Sequence, residues 1–141
     1  MSSGLNSQTL KVGDVHEALL VDNLTRTQIV QYAGSSGDYN PLHTDEVFAT
    51  KVAGYPSVFA HGMLTMGMTG RMLTDYVGDG RLTKFGGRFT QQVFPGDTLR
   101  STATVTEIHL SDDGCTADFA VATTNQAGVV VFSGAASARV N

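Results

Sequence analysis

The sequence is short of cysteine, of charge and of long apolar runs, and each shortage removes a class of protein. Its one cysteine, Cys115, excludes an internal disulfide. Placed in the turn-like run Asp113-Gly114-Cys115, it suits a reducing compartment and reads as a bystander rather than a nucleophile. Charged residues make up only 16% of the 141 positions, the net charge is −4 and the Lys and Arg are scattered. Neither a nucleic acid nor an anionic membrane therefore finds a basic patch. No stretch reaches the roughly 18 apolar residues of a membrane-spanning helix. The opening MSSGLNSQTLKVGD lacks the basic and apolar regions of a signal peptide, so a soluble, cytoplasmic protein is expected. There is no HExxH and no compact Cys/His spacing, so no metal site is expected. No G-x-S-x-G elbow occurs to support a Ser-His-Asp hydrolase, and His16 and His109 stand isolated.

Hydrophobic residues at 41% give a globular balance, and the length suits one domain spanning 1–141 with a frayed polar end over about residues 1–10. The low charge leaves apolar surface that a second subunit can cover. Thr25 and Gln28 form a capping box, with Leu24 and Ile29 placed as a hydrophobic staple. A helix of about ten residues follows, ending at Gly34-Ser35-Ser36-Gly37. A short helical turn is expected over Asp45 to Thr50, then irregular chain at Gly54-Tyr55-Pro56-Ser57.

From Met63 to Val77 one stripe holds Met63, Met66, Gly67, Gly70, Leu73 and Val77, and another Leu64, Met68, Met72 and Tyr76. A helix apolar on nearly all sides belongs inside a protein, and this one, with Arg71 and Asp75, is too short to cross a bilayer. The second half supplies a wrapping: strand-like segments over 82–92, 98–108, 116–124 and 129–140, joined by turns at Phe94–Asp97, Ser111–Gly114 and Asn125–Gly128. Consecutive strands with short turns read as an antiparallel meander. One buried helix gripped by one curved antiparallel sheet makes an α+β fold, and the simplest such architecture is a single hotdog.

Two polar clusters carry chemistry-bearing residues. In Gly37-Asp38-Tyr39-Asn40-Pro41-Leu42-His43, Asp38 and Asn40 read either as turn caps or as part of a site in which Asp38 and His43, bent together at the proline, hold one water and move its protons. In Ala60-His61-Gly62-Met63, at the start of the central helix, the N–H of Gly62 is either an oxyanion donor or a packing accommodation. His61 is either part of that site or a hydrogen-bonded structural histidine.

The run from Tyr32 to His43, followed by His61-Gly62-Met63-Leu64, resembles the hydratase motif of the MaoC-like, (R)-specific enoyl-CoA hydratases. HGMLTMGM with Val77-Gly78-Asp79 and Arg88-Phe89-Thr90 is more narrowly similar to the catalytic small subunit of actinobacterial (3R)-hydroxyacyl-carrier-protein dehydratases. The resemblance implies a hotdog enzyme that reversibly hydrates trans-2-enoyl thioesters to (3R)-hydroxyacyl thioesters. It implies Asp38 and His43 as the catalytic pair, Gly62 as the backbone oxyanion donor, Asn40 as an orienting residue and His61 as a motif residue beside the thioester. No cofactor is implied, since CoA or pantetheine belongs to the substrate. The implied partners are a second copy or a second hotdog subunit, and an acyl-carrier protein where that delivers the acyl chain. The rival readings are a hotdog thioesterase and a non-catalytic acyl-CoA-binding or scaffold subunit.

Overall fold

The computed structural model describes residues 4–141. Helix α1 spans Arg26–Ser36, and its ends are written locally. Thr25 Oγ1 accepts the Gln28 N–H at 3.1 Å while Gln28 Oε1 accepts the Thr25 N–H at 2.9 Å, the reciprocal capping box. Leu24 and Ile29 are buried beside it. Gly37, at φ 76°, ends the helix in the left-handed region and donates its N–H to Ala33 O. Gly34 lies inside the last turn instead of stopping it. The turn expected near Asp45 closes as a π-helical turn over Phe48–Val52.

Five strands, β1 (Val15–Val21), β2 (Leu82–Phe89), β3 (Leu99–Ser111), β4 (Gly114–Thr124) and β5 (Val130–Val140), form one antiparallel sheet in the order β1-β3-β4-β5-β2. Helix α2 (Gly62–Val77) lies against β1, β2, β3 and β5, which is the hotdog arrangement. The expected meander holds for β3, β4 and β5 alone. β2 crosses to the far edge and pairs with β5, placing Phe89 opposite Phe132. There Gly87 faces Gly134, and a Cβ on either would overlap the opposing backbone, so the approach of β2 to β5 needs glycine on both strands. β1 was not foreseen, because its outward Val15 and Leu19 are as apolar as its inward Ala18 and Leu20 and the alternation is faint.

Two further expectations need correction. Residues 4–10 do not fray: Ser7 N–H donates to Asn141 O and Asn141 N–H to Leu5 O, while Leu5 and Leu10 pack on the core; residues 1–3 lie outside the described residues. Nor is α2 enclosed on all sides. Met72, Leu73 and Val77 face Phe119, Phe132 and Ala136 of the sheet, but Met63 is 55% exposed and Gly67 is open. The inward row instead includes Thr65 and Thr69. Thr69 Oγ1 donates to Thr65 O at 2.9 Å and meets Thr123 Oγ1 at 2.7 Å, which in turn lies 3.0 Å from Ser101 Oγ. Three hydroxyls in series can each donate once along this path, so the polar thread through the core is satisfied. Among the described residues no helix is long and apolar enough to cross a membrane, and Cys115 is buried within β4 rather than set in a turn.

Candidate active site

The loop after α1 is built by its own short polar side chains. Asp38 N–H donates to Ser36 Oγ at 3.1 Å, Asp38 Oδ1 accepts the Asn40 N–H at 3.2 Å, and Asn40 Oδ1 accepts the Leu42 N–H at 3.0 Å. Asn40 is thus a scaffold of the loop, with its carbonyl also receiving the His43 N–H. These turns leave Asp38 Oδ2 half exposed and aimed at His43 Nε2, 3.9 Å away. That gap is too long for a direct hydrogen bond. It is the span that one water would bridge with hydrogen bonds of about 2.8 Å to both atoms, meeting at roughly a right angle.

The second cluster is drawn onto the first by the chain that leads into α2. Phe59 N–H donates to Leu42 O, and Phe59 O lies 2.6 Å from His43 Nδ1. A carbonyl oxygen only accepts, so Nδ1 carries a proton, and Nε2 is the nitrogen that faces Asp38 and is bare in the neutral tautomer this bond selects. Next along the chain, buried His61 places its Nε2 3.0 Å from Asp38 O and stacks on His43, with centroids 3.8 Å apart and planes 25° apart. Tyr32 of α1 meets the His61 ring edge-on at 4.8 Å. Burial pushes the His61 pKa below the ordinary imidazole value, opposed by the hydrogen bond to Asp38 O.

Asp38, His43 and His61 each offer a ligand atom within 4.8 Å of the others. Two of their ring nitrogens are already bonded to carbonyl oxygens, and His61 Nδ1 is sealed from solvent. The donor set is therefore poorly disposed to gather a cation.

Gly62 opens α2, and neither its N–H nor that of Met63 has a partner among the described residues. The two point out of the helix N-terminus with its partial positive charge. Phe89 packs so closely on Gly62 that a Cβ there would stand 3.0 Å from the ring. A pocket of about 280 Å³ opens at this point, lined by Phe59, Gly62, Thr65, Phe89, Thr90 and Val131. Its wall reaches His43 through Phe59. A larger cleft of about 570 Å³ lies between β1, α1 and α2 and touches this region only at Tyr32.

Asp38, His43, His61 and Gly62 thus converge, with Asn40 shaping the loop beneath them. Sequence reasoning missed Phe59, whose contribution is a backbone carbonyl that no residue type advertises. It also missed Phe89 as the cover over Gly62.

Residues 9–129 match the family model described as MaoC like domain. Over 97 residues the chain is 41% identical to 3-hydroxyacyl-thioester dehydratase Y of Mycobacterium tuberculosis, an alignment covering 67% of this chain and 33% of that protein. Enoyl-CoA hydratase 2, peroxisomal, of Arabidopsis thaliana is 48% identical over 67 residues, 45% of this chain and 21% of that one. The matched segments thus span a third or less of these curated relatives. In three dimensions it is similar to the (R)-hydratase from A. caviae involved in PHA biosynthesis, with a TM-score of 0.81 and 26% identity over 96% of this chain and 100% of that one.

Proposed function

The chain belongs to the MaoC-like domain family, and on that premise we propose that it reversibly hydrates trans-2-enoyl thioesters to (3R)-hydroxyacyl thioesters. The observation that carries the reading is the one-water gap of 3.9 Å between Asp38 Oδ2 and the unbonded Nε2 of His43, set close to unpaired N–H groups at the start of α2. In the hydration direction a water in that gap attacks C3. Its oxygen bonds to C3 as the C2–C3 π pair shifts toward the thioester oxygen, one water proton passes to the dyad, and the dyad returns that proton to C2 as the enolate pair collapses, which restores both side chains. The negative charge that builds on the thioester oxygen is met by the Gly62 N–H and the helix dipole. One such donor typically contributes about 3–4 kcal/mol of transition-state stabilisation.

No metal or redox group enters these steps. The thioester arm is CoA or a carrier-protein pantetheine, and belongs to the substrate. The active assembly is a dimer, with a second copy or with another hotdog chain. Three features support this: β1 and β2 each lie at an edge of the sheet, Met63 and Phe89 beside the site are 55% and 49% exposed, and the curated relatives extend well beyond the matched segments, which cover 33% and 21% of them.

Mixing the protein with crotonyl-CoA tests the reading. Loss of the enoyl absorbance without release of free thiol is expected. Thiol release would mark a thioesterase, and binding with neither change would mark a scaffold.

A further inference from the structure

We infer that His61 is a positioning residue, whose Nε2–H holds the Asp38 main chain so that the carboxylate faces His43 across the one-water gap. The inference rests on the hydration reading above. His61 is 2% exposed, and the Asp38 carbonyl 3.0 Å from its Nε2 only accepts, so Nε2 carries the proton. Its Nδ1 is left as a bare acceptor. It is the one buried side-chain nitrogen or oxygen without a hydrogen-bond partner among the described residues.

Neither packing nor capping asks for a histidine here. A phenylalanine would fill the same space between Tyr32 and His43 without an orphaned nitrogen. As the N-cap of α2, His61 makes no side-chain bond to the helix, whereas Ser, Thr, Asn or Asp at that position would accept one of its free N–H groups. What histidine alone supplies is a flat ring that stacks on His43 and a donor that reaches Asp38.

That donor matters because the other anchors of Asp38 are local. Its N–H bonds to Ser36 Oγ and its Oδ1 to the Asn40 N–H, each two residues away and exposed. The His61 bond spans 23 residues and ties the Asp38 loop to the start of α2, where the Gly62 N–H lies. Without it, Asp38 itself makes no hydrogen bond outside its own loop among the described residues, whereas His43 keeps its anchor on Phe59 O.

The test compares kcat and KM for enoyl-thioester hydration in wild type, His61→Phe and His61→Gln, with thermal unfolding of each. His61→Phe keeps the aromatic shelf and removes the donor. Its kcat should fall about 100-fold, the scale set by a displacement of about 1 Å at a reacting group, with KM little changed. Its melting temperature should hold or rise, since the orphaned nitrogen is gone. His61→Gln returns an N–H near the Nε2 position and should recover most of the lost kcat. A His61→Phe protein with wild-type kcat, or a His61→Gln protein as impaired as His61→Phe, overturns the inference.

Imidazole nitrogen NMR of the unaltered protein is independent of any variant folding. His61 protonated on Nε2 with a bare Nδ1 supports the inference, and a proton on Nδ1 overturns it. If wild type hydrates no enoyl thioester, the functional reading falls, and the tautomer measurement still decides this one.

Discussion

Two clusters among the described residues combine histidine with carboxylate, and they differ in what holds the ring. In Asp38/His43/His61 both imidazoles are buried, stacked and fixed by backbone carbonyls, and the carboxylate stands off His43 Nε2 by 3.9 Å. In Glu107/His109/Asp118 the imidazole is exposed on the sheet and closes directly on its carboxylate, His109 Nε2 to Asp118 Oδ2 at 3.0 Å, with Glu107 Oε2 at 3.3 Å. The same residue types therefore do different work. The direct pair raises the His109 pKa through its Asp118 hydrogen bond and leaves no room for a reactant. The separated pair leaves a bare nitrogen, a carboxylate and room for one water. An ion pair is satisfied by closing, whereas a proton-transfer site has to be held open.

The largest effects should fall on the open cluster. Asp38→Asn and His43→Gln are each expected to lower kcat by about 10²–10⁴-fold, the usual worth of a positioned acid or base, with circular dichroism unchanged. Near-normal turnover in either breaks the comparison.

Next comes Gly62. Proline at the first helical position is tolerated and removes only the N–H, and His61 already has the extended backbone, φ −60° and ψ 136°, that precedes proline comfortably. Gly62→Ala brings the same Cβ against Phe89 but keeps the donor. The kcat of Gly62→Pro should lie about 100-fold below that of Gly62→Ala, the worth of one oxyanion donor. Equal rates would remove the Gly62 N–H from the mechanism.

The clusters should also respond to acid with opposite signs. His61 is held below its ordinary value of 6.5, so the folded state binds fewer protons than the unfolded one. Its contribution to stability is present above 6.5 and is lost as pH falls through the lowered folded value. His109 is held above 6.5, so its contribution is present below that value and is lost as pH rises through the raised one. Denaturant unfolding across this range should show wild type losing stability relative to His61→Phe on acidification, and gaining relative to His109→Gln. Matching slopes would contradict the burial difference between the two rings. The smallest effect is a null: His109→Gln and Asp118→Asn should leave kcat within about twofold of wild type, as surface substitutions away from a site do.

Much of this arrangement was legible in the residues. The Thr25/Gln28 box, the Gly37 stop, the central helix and the β3–β5 meander follow from local chemistry, and the structure places each where the pattern put it. What was not legible is long-range. The move of β2 to the far edge depends on Gly87 meeting Gly134, a contact that neither glycine signals alone. β1 hid because both its faces are apolar, and the inward threonines of α2 because their partners, Thr123 and Ser101, lie on other elements. At the site, Asp38, His43 and Gly62 stand out by type and motif. The Phe59 carbonyl that sets the His43 tautomer, and the His61 bond to Asp38 O, exist only once the chain is folded.

The central claim is that water is activated for C3 of an enoyl thioester and not for its carbonyl carbon. Turnover of crotonyl-CoA in water labelled with heavy oxygen, followed by mass analysis of the products, tests it most directly. The account predicts the label in the C3 hydroxyl of an intact hydroxyacyl thioester. Label in the carboxylate of a released acid, with free thiol, would contradict it.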